Sequence, residues 1–187
     1  YEYRRLEYKE SESSRSGRQS PREYARDLMG YDLISFDIFD TLILRPFSDP
    51  TDLFFLVGRE LHYPDFRRLR ILAEQKARKR LVQEGKSPEA SLEDIWREME
   101  TVTGIPARDG MLAEKKWEEA CCEANPFFQQ VFRLLKRQGK RVIAVSDMYL
   151  PESFLRRLLS RCGYEGFEQI YVSCETGKSK HDGSLYR

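Results

Sequence analysis

Histidine is scarce in this chain of 187 residues, with only His62 and His181, and the four cysteines, at 121, 122, 162 and 174, form no CxxC pair. Structural zinc sites draw on spaced Cys and His sets, so none is expected. Reduced thiols in a reducing compartment fit better, and the adjacent Cys121 and Cys122, in a helical pattern, read as packing. No apolar run approaches the roughly 20 residues that cross a bilayer, and the amino-terminal segment lacks the apolar stretch of a secretory signal. The expectation is a soluble, cytoplasmic protein without membrane insertion. A surplus of one charge is missing too: 32 basic against 31 acidic residues leave +1. That gives no electrostatic footprint for nucleic acid or an anionic membrane, so a charged ligand must be recognised by a local site.

The length suits one substantial core carrying a smaller insertion. No internal repeat is visible. Residues 1–22 mix charge with Ser and Gly and read as a tail or linker. SPREYARDLMG, from Ser20, has a capping Ser, Pro at the first helical position and a closing Gly, so a short helix leads to a strand at Leu33 to Phe36.

Helical spacing then dominates. SDPTDLFFLVGRELH starts behind Ser48 and Asp49. DFRRLRILAEQKARKRLVQEG sets Phe66, Leu69, Leu72 or Ala73, Ala77 and Leu81 on one face. The capping box SLED opens a third helix through Ile95, Trp96 and Met99, and a fourth covers about Ala107 to Glu123 around Leu112 and Trp117. Phe54, Phe55, Trp96 and Trp117 are the expected core of this block. Arg70, Glu74 and Arg78 stand at i, i+4 and i+8 and read as a solvated, ion-paired face, with contact to a substrate phosphate or sugar as the alternative.

After Asn125 the pattern changes: helix PFFQQVFRLLKRQ, strand Arg141 to Ser146, helix PESFLRRLLSRC, strand Gln169 to Cys174. Strands alternating with helices imply an α/β fold with a parallel sheet and crossover helices. The sheet-bearing parts are residues 23–47 and 125–187, and the helical insertion is 48–124.

Ligands of open parallel sheets bind beyond the carboxyl ends of the strands. Asp37 and Asp40, in DIFDT, follow the first strand; Ser146 and Asp147 follow the second; Lys178 and Lys180 follow the third. A carboxylate is a competent nucleophile at phosphorus, and a second acid can protonate the leaving oxygen and later deprotonate water. A hydroxyl and an ammonium would stabilise the phosphoryl oxygens. Asp147 reads as a cap of the turn and following helix, and His181 as a loop residue.

At these residues the chain resembles the haloacid dehalogenase-like superfamily. DIFDT is similar to that family's first motif, the Ser closing VIAVS to its second, and SKHDGSLY to its third. The resemblance implies a Rossmann-like, three-layer α/β/α core with an inserted all-helical cap, which accounts for the 109 positions between Asp37 and Ser146. It implies Asp37 as nucleophile, Asp40 as general acid and base, and Thr41, Ser146 and Lys180 as phosphate binders, with Lys180 orienting the nucleophile and Lys178 as the competing assignment. It also implies Mg2+ held by the Asp37 side chain and the Asp40 backbone carbonyl. The implied activity is a phosphatase acting on a small phosphorylated metabolite through an aspartyl-phosphate. YDLISFDIFDTLILRP, VSDMYLP and GKSKHDGSLY look more narrowly like capped domains of bacterial surface-polysaccharide and glycosyltransferase-associated proteins.

The chain opens on Tyr1 and stops after the helix-start-like GSLYR, so a longer chain with further domains is expected. The family's fourth motif, an acidic pair completing the magnesium site, is not reached, so weak metal binding or none is expected of this stretch. Two alternatives stand beside the phosphatase. One is a phosphomutase using the same aspartates; the other is a non-catalytic or regulatory domain of a polysaccharide-biosynthesis protein.

Overall fold

A computed structural model describes residues 19–186. The expected tail lies outside the described residues up to residue 18, and so does Arg187, the last residue of the expected core. In chain order the elements are α1 (Pro21–Leu28), β1 (Leu33–Phe36), β2 (Ile43–Leu44), a 3-10 turn (Pro50–Asp52), α2 (Leu53–Glu60), α3 (Phe66–Gln83), α4 (Leu92–Thr103) and α5 (Ala107–Cys121). There follow β3 (Glu123–Ala124), α6 (Pro126–Arg137), β4 (Arg141–Ser146), α7 (Glu152–Arg161), β5 (Ile170–Val172), the short α8 (Ser173–Thr176) and a 3-10 turn (Ser184–Tyr186).

The chain is thus mixed α/β, built on a parallel sheet in the order β1-β4-β5. Central β4 is buried at Val142, Ala144, Val145 and Ser146, as a strand covered on both faces must be. Helix α6 lays Phe128 and Phe132 against Phe36 of β1 with ring centroids 5.9 and 6.5 Å apart, and α1 joins it through Tyr24. Local chemistry explains the helix starts. Ser20 and Glu23 exchange hydrogen bonds in a capping box before α1, Ser91 and Asp94 do the same before α4, and the Asn125 side chain caps α6 ahead of Pro126.

Between β2 and β3 lie only helices, α2 to α5. Phe66 packs edge-on against Phe54 and tilted against Trp96, with ring centroids 6.5 and 5.7 Å apart. Trp96 leaves no room beside Gly110, where a Cβ would overlap its ring. The buried residues of the sheet and of these helices form one continuous apolar cluster.

Several expectations need correction. Phe55 is 56% exposed, because Phe54 takes the inward position and a neighbour one residue on points about 100° away. Leu112 also faces out, with Ala113 inside, and of the alternatives Leu72 and Ala73 it is Ala73 that is buried. Arg70 is not on a solvated face: it is fully buried, and its guanidinium forks onto Glu114 at 2.7 and 3.0 Å. The fourth helix ends at Cys121, where the backbone turns extended at Cys122 to enter β3. The β2-β3 pair is antiparallel, joining Ile43 to Ala124 and Leu44 to Glu123, and closes the base of the helical insertion. The last strand is shorter than Gln169 to Cys174, since Ser173 already begins α8.

Candidate active site

The polypeptide leaves β1 at Phe36 and turns at once. The Asp40 N–H donates to the Ile43 carbonyl at 2.8 Å and the Ile43 N–H to the Ile38 carbonyl at 3.0 Å, closing a tight loop with Asp40 at φ 58. That left-handed conformation is uncommon for a non-glycine residue, and Asp is among the types that adopt it. The loop is clamped from behind. Asn125 donates its side-chain amide to the Thr41 carbonyl and its backbone N–H to the Leu42 carbonyl. The Tyr164 hydroxyl donates to the same Leu42 carbonyl at 2.6 Å. Burial pushes the Tyr164 phenol up, which keeps it a donor.

Inside the loop, the Lys180 ammonium lies 2.6 Å from Asp37 Oδ1, and the Thr41 hydroxyl donates to Asp37 Oδ2 at 3.4 Å. Asp37 keeps 40% of its side chain exposed and Lys180 26%, so the pair faces an accessible surface. Ser146 ends β4, the strand next to β1, and is 2% exposed. Lys178, the competing lysine, is exposed and forms no ion pair among the described residues.

Asp147 corrects the expectation that it caps its own turn and helix. Both its carboxylate oxygens accept the Lys180 backbone N–H, at 2.9 and 3.0 Å, and Pro151 stands at the α7 N-cap. The Ser173 hydroxyl, fully buried, accepts the Met148 N–H at 3.0 Å. The loops after β4 and β5 are therefore tied together, and the tie sets where the Lys180 side chain starts. His181 sits in the exposed turn that follows.

Asp40 is the exception. It is exposed, and its carboxylate hydrogen-bonds to none of Asp37, Thr41, Ser146 or Lys180. Of the five residues singled out for chemistry, three meet directly (Asp37, Thr41, Lys180), Ser146 ends the adjoining strand, and Asp40 stands apart.

No cluster of three or more His, Cys, Asp or Glu able to hold a metal occurs among the described residues. The donors implied for Mg2+ are nonetheless of the right kind. They are hard oxygens, and the Asp40 carbonyl accepts no hydrogen bond among the described residues. Mg2+ commonly takes one or two protein oxygens and completes its shell with water and substrate phosphate, so Asp37 and Asp40 would fit that role.

A cleft of about 280 Å³ is lined by none of Asp37, Asp40, Thr41, Ser146 or Lys180. Its lining includes Arg45, Met148 and Tyr149, from the chain just beyond DIFDT and just beyond Asp147, and Phe54 of α2 with Ile71, Glu74, Gln75 and Arg78 of α3. Behind the cleft, Arg70 joins Glu114, Glu74 and the Tyr149 ring, and Trp96 donates to Glu114 at 2.8 Å. Burial, reinforced by the Glu114 carboxylate, pushes the Tyr149 phenol well above its ordinary value. Arg45 pairs with Glu118 through Nε at 2.6 Å and lies over the Phe39 ring at 4.0 Å.

Sequence reasoning missed Asn125, Tyr164, Ser173 and Arg45 as parts of this region. Only Asp147 carried a signal, its place directly after Ser146. No protein-family model matches the chain, and neither does any curated protein.

Proposed function

We propose that the protein is a phosphohydrolase of the haloacid dehalogenase-like type, acting on a small phosphorylated metabolite. In this reading the three strands are the centre of a Rossmann-like, three-layer core, and α2 to α5 form a cap over the strand ends. The observation that carries it is the Lys180 ammonium on the Asp37 carboxylate, two residues from different strand ends meeting at one accessible point. Lys180 occupies Oδ1, so Oδ2, with only its 3.4 Å contact to Thr41, is the oxygen free to attack phosphorus. A bond forms from Oδ2 to phosphorus as the bond to the leaving oxygen breaks, and that oxygen takes a proton from Asp40. Water then attacks the aspartyl-phosphate, its proton passing to Asp40, which releases inorganic phosphate and restores Asp37. Lys180, Thr41 and Ser146 balance charge on the phosphoryl oxygens. Mg2+, held by Asp37 and the Asp40 carbonyl, would supply further charge neutralisation.

The test is hydrolysis of an aryl phosphate by the full-length protein with Mg2+. Activity is expected, and Asp37→Asn abolishes it; unchanged turnover in that variant removes Asp37 as nucleophile. A second reading, a domain that binds a phosphorylated ligand without turning it over, is favoured by Asp40, which is exposed and whose carboxylate hydrogen-bonds to none of the other site residues. Phosphate binding without hydrolysis in the same assay supports it.

A further inference from the structure

The chain enters the helical insertion after β2 and leaves it through β3, and these two strands pair with each other. The two crossings therefore lie side by side and make one pivot, the arrangement from which a domain can swing. Beside that pivot Arg45 holds Glu118 at 2.6 Å, and Arg161 of α7 donates to the Glu119 and Cys122 carbonyls. Contacts at a pivot do not stop a swing. A second attachment, made elsewhere, does.

Tyr149, in the loop after β4, makes that second attachment. Its backbone carbonyl accepts the N–H of Leu92, the first residue of α4, at 2.9 Å. Its ring packs against the buried Arg70 guanidinium of α3, 4.7 Å from the ring centroid, and Phe54 lies against the same guanidinium at 4.6 Å. One residue of the sheet-bearing part thus holds α3 by its side chain and α4 by its backbone. Next to these points in the chain, Ala90, Leu92 and Leu150 are buried, and a Cβ on Gly177, at the end of α8, would lie 3.5 Å from the Ser87 Cβ. A swing that lifted α3 and α4 would strip the ring from a buried cation, break the backbone hydrogen bond and wet apolar surface together. Access does not require it: with the attachment made, Asp37 keeps 40% of its side chain exposed and Lys180 26%.

We infer that the helical insertion is a fixed part of the fold, latched to the sheet by Tyr149, and that a ligand reaches Asp37 through the side already open, without the insertion swinging away. The inference goes beyond the phosphohydrolase reading and does not rest on it, since it concerns a motion and not a reaction.

Hydrogen exchange at the Leu92 amide reads the latch directly. The first N–H groups of a helix have no acceptor within it, so protection of this amide comes from the Tyr149 carbonyl. In residue-resolved exchange on the full-length protein, the Leu92 amide is expected to exchange within about tenfold of the Ala144 amide of β4, which the Gln169 carbonyl holds. Tyr149→Leu removes the ring and keeps the carbonyl. It is expected to speed exchange at Leu92, relative to Ala144, by about tenfold or more, the scale of a desolvated ring–cation contact. Tyr149→Phe keeps the ring and is expected to keep the native rate. A Leu92 amide that exchanges in the native protein faster than that tenfold margin shows the insertion opening and overturns the inference. So does a Leu92 rate that Tyr149→Leu leaves unchanged, or that Tyr149→Phe raises as far as Tyr149→Leu does. Should Tyr149→Leu not fold, the native ratio of the two amides decides alone.

Discussion

The Lys180 ammonium and Asp37 Oδ1 lie 2.6 Å apart although 143 positions separate them in the chain. Two parallel strands and a carboxylate clasp bring this about. Asp147, at the end of β4, grips the Lys180 backbone N–H with both oxygens, so the lysine side chain leaves its loop from a fixed point. Asp147 acts through Lys180, as a positioning residue. Asp147→Ala is expected to lower kcat by about 10- to 100-fold, the range for a reacting group displaced by around 1 Å, with a smaller change in KM. Steady-state kinetics beside a thermal melt check it; a variant that loses only melting temperature marks Asp147 as structural.

Asp40 poses a sharper question, because its left-handed turn and its proposed proton transfer call for different things. Asn adopts φ near 58° as readily as Asp but cannot carry the proton. Asp40→Asn is therefore expected to keep the fold and lower kcat by about 10²- to 10⁴-fold, most for esters with poor leaving groups. Retention of full activity assigns Asp40 to the turn alone.

Acid should loosen the helical insertion through Glu74. Burial raises the cost of its charge, but Arg70 and Arg78 more than offset it and hold the carboxyl below its ordinary value of 4.5. A carboxyl depressed in the folded state adds stability that is complete above its unfolded pKa and is lost as pH falls through the folded one. The contribution of Glu74 to the melting temperature is thus expected to be complete and independent of pH near neutrality, and to be lost below about pH 4.5. Glu74→Gln lowers the melting temperature at pH 7 and flattens the acid slope; equal slopes in the two proteins refute this.

The thiols offer a check on packing. Cys121, Cys122 and Cys162 are buried and free, and burial raises each. Cys174, partly buried, is pushed up to about 12 by the same cause. Since the thiolate is the reactive form, the native protein near pH 8 is expected to react slowly with an aromatic disulfide reagent, and the four thiols rapidly in denaturant. Fast reaction of the native protein contradicts the packing.

What could be read from the chain alone was local or periodic. Leu33–Phe36 and Arg141–Ser146 stand where their apolar runs set them, and the capping boxes at Ser20 and Ser91 start their helices because the bonds span only three residues. The positions of Asp37, Ser146 and Lys180 at strand ends follow from the same local logic. Tertiary structure decided what depends on distant partners. Arg70 sits in the core because Glu114, 44 residues away, meets its charge there. Asp147 holds Lys180 across 33 positions, Tyr164 clamps the DIFDT loop across 122, and Arg45 meets Glu118 across 73. Periodicity fixes which side of a helix is apolar, but a buried charge or a loop is placed only by the group that satisfies it, and that group comes from elsewhere in the fold.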